Sequence, residues 1–352
     1  MLPRCLASIR ELVDEIVVVD TGSVDESPRI AAEFGARVFD AEWRNDFAAA
    51  RNAALDRARG RFILYIDADE RAGPLSRETL AGQLADPGLV AATVRFRPRT
   101  GFTRYRECRI FRNDPRIRFE NVIHETMVPA IEAVVRSDGL RVGHGDLAID
   151  HFGYDDSQAA KHRRDIPLLR ERLARDPEHV YSWNHLGRAL AGVGDVDGAL
   201  AAWWCAVGVV RERGARSALD RLPYGSLLLH PGAADEAEHL LAEALDRFGG
   251  DHLFRWLHGR RLAEAGRPGE AIPLFESLIA IDAETFCAAD GIAYDARIFG
   301  SFSHDALGLC HFRLGDYAES ARHYALADAA DPGHPGHRIK GRLATARLAR
   351  QA

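Results

Sequence analysis

The chain has 352 residues, of which 47% are hydrophobic and 28% charged, the composition of a globular protein of about two domains. Its formal net charge of -6 argues against a general nucleic-acid binder, which would need a basic face to meet phosphates. The longest apolar runs have only the length of a strand, so the sequence predicts no transmembrane segment.

The cysteines and the N-terminus bear on the cellular location. Five cysteines are scattered without a metal-binding spacing such as C-x-x-C, and an odd number in a long chain argues against a disulfide framework. The first residues are too few and too polar for a signal peptide. The sequence therefore predicts a cytoplasmic protein, and peripheral contact with the inner membrane face stays open.

The N-terminal part alternates between helix and strand patterns. Apolar runs predict strands at 15–20, 36–39 and 61–66, and helical patterns occur at 6–12, 27–34 and 47–59. Because such alternation is typical of parallel sheets, we expect an α/β domain with ligands at the strand carboxyl ends. Three further strand patterns, at 90–96, 107–111 and 147–152, are placed in the same domain, which spans residues 1–156.

From residue 157 to residue 352 strand patterns disappear and helices dominate. Small and large residues recur in the same order in three segments, at Gly187, Gly194 and Trp203, at Gly259, Gly266 and Phe275, and at Gly308, Gly315 and Tyr324. A weaker unit lies around residues 237–244, and residues 282–299 interrupt the period. The spacing resembles the tetratricopeptide repeat, so we expect an all-α repeat domain whose helices bury their faces against neighbouring repeats.

Two acids, Asp67 and Asp69, follow the third predicted strand. Side chains two positions apart on an extended segment point to the same face, so both carboxylates could share one divalent cation and the diphosphate that it binds. Mg²⁺ and Mn²⁺ prefer such oxygen ligands. The alternative is a pair of turn or helix-capping acids, because the D-x-D pattern alone is common.

Three segments together resemble the inverting family 2 glycosyltransferases of the GT-A type: IVVVDTGSVD at 16–25, FAAARNA at 47–53 and LYIDADE at 64–70. The likeness is closer to a bacterial subgroup that pairs this domain with tetratricopeptide repeats. That subgroup also shows a histidine–glutamate pair, here His124 and Glu125, and a histidine–aromatic–glycine–tyrosine segment, here residues 151–154. The resemblance covers residues 5–210 and implies a GT-A-like nucleotide-sugar-binding fold.

The resemblance implies a role for each acid and base of the donor site. Asp20 would accept hydrogen bonds from the nucleotide base or ribose, Arg51 would hold the base or a phosphate, and Asp67 would face the ribose or join the metal ligands. Asp69 would bind the metal directly, and His151 would complete the metal site as a neutral imidazole. The alternatives are a turn acid for Asp20, a solvated arginine for Arg51 and a buried, hydrogen-bonded histidine for His151.

Glu125 is the candidate general base, because an inverting transfer needs a carboxylate that takes the proton of the acceptor during its attack. His124 would orient Glu125 or touch a phosphate. Arg109 and Arg112 lie in a basic segment that could neutralise the leaving diphosphate. The alternatives are ordinary loop residues and solvated arginines.

The resemblance implies transfer of a sugar, with inversion, from a nucleotide-diphosphate donor, expected to be linked to uridine, to an acceptor nucleophile. A divalent cation, Mg²⁺ or Mn²⁺, would assist. The repeats would present a concave surface to an acceptor peptide, protein or glycan, bind a protein partner, or form a homodimer. The rival interpretation is a non-catalytic repeat scaffold that carries a degenerate transferase domain.

The family normally has a further strand before the helix that carries Cys5, and this sequence lacks it. We expect an unpaired sheet edge where that strand would lie. A mis-assigned start, a fragment and a true degeneration of the domain are all compatible with the sequence.

Overall fold

The computed structural model describes residues 1–153, 158–233 and 235–351. The chain divides into two compact units. The first comprises Met1–Thr100, Tyr105–Val209 and Cys287–Gly291, and the second comprises Gly101–Arg104, Val210–Phe286 and Ile292–Ala352. The predicted boundary at residue 156 lies outside the described residues and stays a prediction. The first unit contains helices beyond that boundary, up to Val209.

The strands are β1 Val17–Asp20, β2 Arg37–Asp40, β3 Phe62–Leu64, β4 Glu70–Ala72, β5 Leu89–Arg97, β6 Arg104–Arg112, β7 Arg141–His151 and β8 Cys287–Ala288. The helices that lie among or before these strands are α1 Leu2–Ile9, α2 Ser27–Glu33, α3 Phe47–Leu55, α4 Arg77–Gln83 and α5 Val128–Asp138. The helices that follow are α6 Ala159–Arg175, α7 Val180–Gly192, α8 Val196–Arg213, α9 Leu222–Leu229, α10 Ala237–Arg247, α11 His252–Glu264, α12 Pro268–Ile279, α13 Ser301–Leu314, α14 Tyr317–Ala330 and α15 Pro335–Gln351. No described helix is both long enough and apolar enough to cross a bilayer.

The sheets correct one expectation, because the domain is not built on a single parallel sheet. Strands β1 and β2 form a parallel pair by themselves, and a six-stranded sheet has the order β3-β6-β5-β7-β4 with β8 beside β6. In the path of that larger sheet only β5 and β7 are parallel. The short connection between β5 and β6 permits only a hairpin, which makes their pairing antiparallel.

The larger sheet is covered on both faces by apolar side chains. Consecutive residues of β6 enter different clusters, because successive side chains of a strand point to opposite faces. Phe111 packs with Phe119, Met127 and Ile131, whereas Ile110 belongs to a second cluster. Burial on both sides fixes the register of the strands and thereby the places where they end.

The two sheets do not join within the described part of the chain. Strand β1 pairs with β2 alone, and β3 pairs with β6 alone. The apolar side chains of β1 and β3 are only partly buried. Among the described residues, β1 and β3 therefore each have one edge without a strand partner.

The repeat pattern has a direct steric meaning in three helical pairs. In each pair a glycine of the first helix lies against the ring of an aromatic residue sixteen positions later. The pairs are Gly187 with Trp203, Gly259 with Phe275, and Gly308 with Tyr324. Seven positions after each of these glycines, another glycine adopts a positive φ just beyond the helix: Gly194, Gly266 and Gly315. The shared offsets show that the three pairs are copies of one unit.

We expect Gly259→Ala to lower the free energy of unfolding by about 1–3 kcal/mol, because a Cβ there has no room. That atom would lie 2.8 Å from the ring of Phe275, which is fully buried. Urea unfolding followed by circular dichroism measures the change. The control is Gly269→Ala in α12, where a Cβ meets nothing within 4 Å. Equal stability of the two variants would contradict the steric explanation.

Candidate active site

The candidate site is built on the turn between β3 and β4. The N–H of Glu70 donates to the Asp67 carbonyl at 2.9 Å, and the N–H of Asp67 donates to Oε2 of Glu70 at 2.9 Å. Ala68 and Asp69 form the turn itself. The expectation of an extended segment with both acids on one face is therefore wrong, because this reciprocal bonding closes the backbone into a turn.

Glu70 and Arg109 form a buried ion pair beneath this turn. The Arg109 guanidinium donates to both oxygens of Glu70, at 3.0 and 2.8 Å, and the two side chains are 5% and 1% exposed. The guanidinium also lies over the rings of Tyr65 and Phe96. Burial raises the pKa of Glu70, and the charge of Arg109 opposes that rise. Arg109 is thus part of the support of the turn, and these contacts lend no support to its predicted role on the diphosphate, which stays a prediction.

Arg112 is also engaged within the fold. Its Nε donates to the Leu89 carbonyl at 2.6 Å, and its Nη2 donates to the Pro87 carbonyl. The guanidinium is therefore committed to backbone oxygens near the start of β5. The prediction that Arg112 could neutralise a leaving diphosphate finds no support in this arrangement.

Arg51 of α3 brings two predicted site residues together. Its Nη2 lies 2.8 Å from Oδ1 of Asp67, and its Nε donates to Oε1 of Glu125 at 2.6 Å. The guanidinium lies against the rings of Tyr65 and Phe119, at 5.0 and 5.5 Å. Burial would lower the pKa of Arg51, but the two carboxylates outweigh burial and raise it. Arg51 is therefore not the freely solvated arginine of the alternative interpretation.

Asp69 and His151 form the second pair of the site. Oδ2 of Asp69 lies 3.2 Å from Nε2 of His151, the last residue of β7, and Nδ1 of His151 donates to the Pro98 carbonyl at 3.0 Å. The hydrogen bond with His151 lowers the pKa of Asp69. Burial would lower the pKa of His151, but Asp69 outweighs burial and raises it. The sequence-predicted metal pair is thus assembled by the pairing of β4 with β7.

Gly153 makes that approach possible. A Cβ at residue 153 would overlap the Asp69 carboxylate and would lie 3.1 Å from Nε2 of His151. The glycine of the predicted motif at 151–154 is therefore required for steric reasons. Its last residue, Tyr154, lies outside the described residues.

His124 is held in a neutral, buried state. Its Nε2 is buried without a hydrogen-bond partner among the described residues. Burial, assisted by nearby cationic groups, lowers the pKa of His124 to about 3. Its ring contacts the rings of Tyr181 and His185 of α7, with centroids 5.0 and 4.2 Å apart. A neutral imidazole does not offer a positive charge to phosphate, so this arrangement favours orientation of Glu125.

Asp20 closes the turn that follows β1. Its Oδ2 accepts hydrogen bonds from the N–H groups of Gly22 and Ser23, at 3.2 and 3.0 Å. Hydrogen bonding by Ser23 lowers the pKa of Asp20. These contacts are those of a turn acid at the end of a strand, which was the alternative interpretation of Asp20. Its role toward a nucleotide stays a prediction.

Sequence reasoning missed Glu70 as the support of the turn, and it missed Tyr181 and His185 altogether. An acid directly after a D-x-D segment was a readable signal for Glu70. Tyr181 and His185 lie at i and i+4 of a helix beyond the predicted domain boundary, where the pattern indicated only a repeat. Among the residues described, no group of three or more histidine, cysteine, aspartate or glutamate side chains is arranged to hold a metal.

Comparison with known proteins identifies the two parts. Residues 1–140 match the family Glycosyl transferase family 2, and residues 228–284 and 306–335 match the Tetratricopeptide repeat. The chain therefore carries a family 2 glycosyl transferase domain followed by tetratricopeptide repeats. This agrees with the α/β, GT-A-like domain and the all-α repeat domain that the sequence predicts.

Two curated relatives share this region. The chain is 36% identical over 255 residues to a TPR repeat-containing protein of Synechococcus elongatus, with 70% of this chain and 62% of that protein covered. It is 26% identical over 206 residues to the SPbeta prophage-derived glycosyltransferase SunS of Bacillus subtilis, with 54% and 46% covered. The chain thus spans less than two thirds of the length of either relative.

Solved structures that match the chain include a thermophilic TPR protein of Thermus thermophilus. It is 16% identical, with 53% of this chain and 91% of that chain covered, at a TM-score of 0.33. The APC/C hetero-tetramer Cut9-Hcn1 matches at 15% identity, with 54% and 34% covered and a TM-score of 0.41.

We expect Glu70→Ala to destabilise the first unit by about 3–5 kcal/mol, because it removes the buried carboxylate that accepts two hydrogen bonds from Arg109 and leaves only the longer contact with Glu107 at 3.3 Å. Urea unfolding measures the loss. The matched control is Glu33→Ala, which removes a solvent-exposed partner of Arg29 and should cost no more than about 0.5 kcal/mol. A Glu70→Ala protein as stable as the control would show that the ion pair does not support the turn.

Proposed function

We propose that the chain is a metal-dependent inverting glycosyltransferase that moves a sugar from a nucleotide-diphosphate donor, linked to uridine, to an acceptor nucleophile. The observation that carries this proposal is the Asp69–His151 pair, 3.2 Å apart, at the end of the D-x-D turn of a family 2 domain. The name of the SunS relative, a glycosyltransferase, supports glycosyl transfer in general.

The chemistry of the pair fits a divalent cation. Nδ1 of His151 donates a hydrogen bond to the Pro98 carbonyl. In a neutral ring, the proton is therefore on Nδ1, and the lone pair of Nε2 faces the Asp69 carboxylate. Two electron-rich atoms at that distance need either a second proton on the ring or a cation between them. Asp69 and His151 would therefore hold Mg²⁺ or Mn²⁺. When bound, the cation would stabilise the negative charge of the departing diphosphate.

Three residues would bind the donor nucleotide. Asp20 would turn its carboxylate to the base or ribose, as the acid at the carboxyl end of β1. Asp67 and Arg51 form an ion pair. The ribose or a phosphate of a bound nucleotide would contact these two side chains. The planar guanidinium suits either contact.

Glu125 would act as the general base. It takes the proton of the acceptor group while the acceptor atom bonds to the anomeric carbon and the bond from that carbon to the diphosphate oxygen breaks. The hydrogen bond from Nε of Arg51 to Oε1 fixes the position of this carboxylate. His124 would orient Glu125 through the loop that they share.

A second candidate function follows from the repeats themselves. Tetratricopeptide repeats over residues 228–284 and 306–335 favour binding of a peptide or protein. If the chain is a transferase, the repeats would present the acceptor peptide, protein or glycan, or they would join two copies of the chain. In the rival proposal the repeats act alone, as a scaffold beside an inactive domain.

We expect the chain to bind uridine diphosphate only in the presence of Mn²⁺ and expect Asp69→Ala to abolish this binding. The physical reason is that the mutant lacks the carboxylate that holds the cation. Calorimetric titration of the folded protein measures both. Asp197→Asn, an exposed acid of α8, is the control and should bind as the wild type does. Absence of binding by the wild type would favour the scaffold.

We expect Gly153→Ala to weaken Mn²⁺-dependent binding of uridine diphosphate at least tenfold, which corresponds to a loss of about 1.4 kcal/mol in binding free energy. Its Cβ would displace Asp69 from His151. The control is Gly82→Ala in α4, where a Cβ has nothing within 4 Å. Unchanged affinity in Gly153→Ala would remove the Asp69–His151 pair from the proposed site.

A further inference from the structure

The loop from Asn121 to Glu125, here called the base loop, has a strained backbone. Asn121 and His124 adopt positive φ values of 79° and 52°. The loop is closed at its base by Glu120 and Thr126, which exchange backbone hydrogen bonds of 2.9 and 3.1 Å. Positive φ values are energetically unfavourable for residues other than glycine, and they persist only where contacts with the surrounding structure enforce them.

The contacts that enforce this conformation come partly from α3. The N–H of Phe47 donates to the Val122 carbonyl at 3.0 Å. The side chain of Asn52 donates to the Phe119 carbonyl and accepts from the Phe119 N–H, at 2.9 and 2.8 Å. These bonds fix the entry of the base loop but leave His124 itself untouched.

The other contacts come from two helices that follow the sheet. Arg172 of α6 donates to the side-chain oxygen of Asn121, the first strained residue. Tyr181 and His185 of α7 pack their rings on His124, the second strained residue, and on each other at 4.3 Å. All of these residues belong to the first compact unit, which extends to Val209.

Among the described residues, Nε2 of His124 is buried without a hydrogen-bond partner, and the rings of Tyr181 and His185 pack against the imidazole. The next residue is Glu125, whose carboxylate bonds to Arg51. A change in the backbone angle at His124 would swing the Glu125 carboxylate away from the guanidinium.

We propose that Arg172, Tyr181 and His185 are positioning residues for the transfer, which hold the base loop so that Glu125 stays paired with Arg51. This inference rests on the proposed function, because it takes Glu125 as the base. The helical pair α6–α7 then contributes to the transferase by holding the base loop.

The test compares His185→Ala and Tyr181→Ala with Tyr181→Phe, which keeps the ring, and with His239→Ala, an exposed histidine of α10. Each variant is titrated with uridine diphosphate and Mn²⁺ and assayed for hydrolysis of a uridine-diphosphate sugar. We expect the two truncations to lower kcat about tenfold or more, since misplaced catalytic groups are that costly, and to leave uridine diphosphate affinity within about threefold. Tyr181→Phe keeps the ring contacts with His124 and His185 and should therefore retain more activity than Tyr181→Ala, whereas His239→Ala should match the wild type.

Hydrogen exchange keeps the inference testable when no hydrolysis is found. The amides of Glu120 and Thr126 close the base loop, and we expect them to exchange faster in His185→Ala and Tyr181→Ala alone. A folded truncation variant with unchanged kcat or unchanged exchange would overturn the positioning role. Failure of the wild type to bind uridine diphosphate would instead count against the proposed function, and the exchange rates would still decide whether α7 holds the loop.

Discussion

The buried ion pair of Glu70 with Arg109 is the interaction on which the candidate site depends. It lies beneath the turn between β3 and β4, where the Glu70 carboxylate also accepts the N–H of Asp67. Two hydrogen bonds to Glu70 and two aromatic faces against the guanidinium offset part of the cost of burying these charges, although Nε of Arg109 has no hydrogen-bond partner among the described residues. The directions in which Asp67 and Asp69 leave the turn follow from this ion pair.

From this turn the two acids reach different partners. Asp67 meets Arg51 of α3, and through Arg51 it is linked to Glu125. Asp69 meets His151 because β4 and β7 are paired, and Gly153 leaves the space for that contact. One turn thus connects the Asp69–His151 pair to the candidate base Glu125, although no regular element carries all of these residues.

The helices after the sheet divide into two roles. Those up to Val209 belong to the same compact unit as the sheet, and α7 supports His124 there. In the second unit, the pairs α11–α12 and α13–α14 share one steric motif, a glycine under an aromatic ring, which gives these two pairs their close packing. The first glycine–ring pair, Gly187 with Trp203, lies in the first unit, so the repeat pattern crosses the division between units.

The sequence by itself determined the order of the first six elements, from α1 to β3, together with the family resemblance and the repeat register. Local patterns suffice there, since an apolar run of β-branched residues favours a strand, and a glycine opposite an aromatic residue at a fixed offset favours a repeat. The predicted strands at 15–20 and 61–66 appear as Val17–Asp20 and Phe62–Leu64.

Only the tertiary structure decided which acids meet which bases. Sequence spacing placed Asp67 and Asp69 on one extended face, but the distant Arg109 helps hold Glu70, and the turn that results separates their partners. The support of His124 by His185 joins residues sixty-one positions apart, on either side of a predicted domain boundary. Such contacts follow from strand pairing and helix packing over long sequence separations, which no local periodicity records.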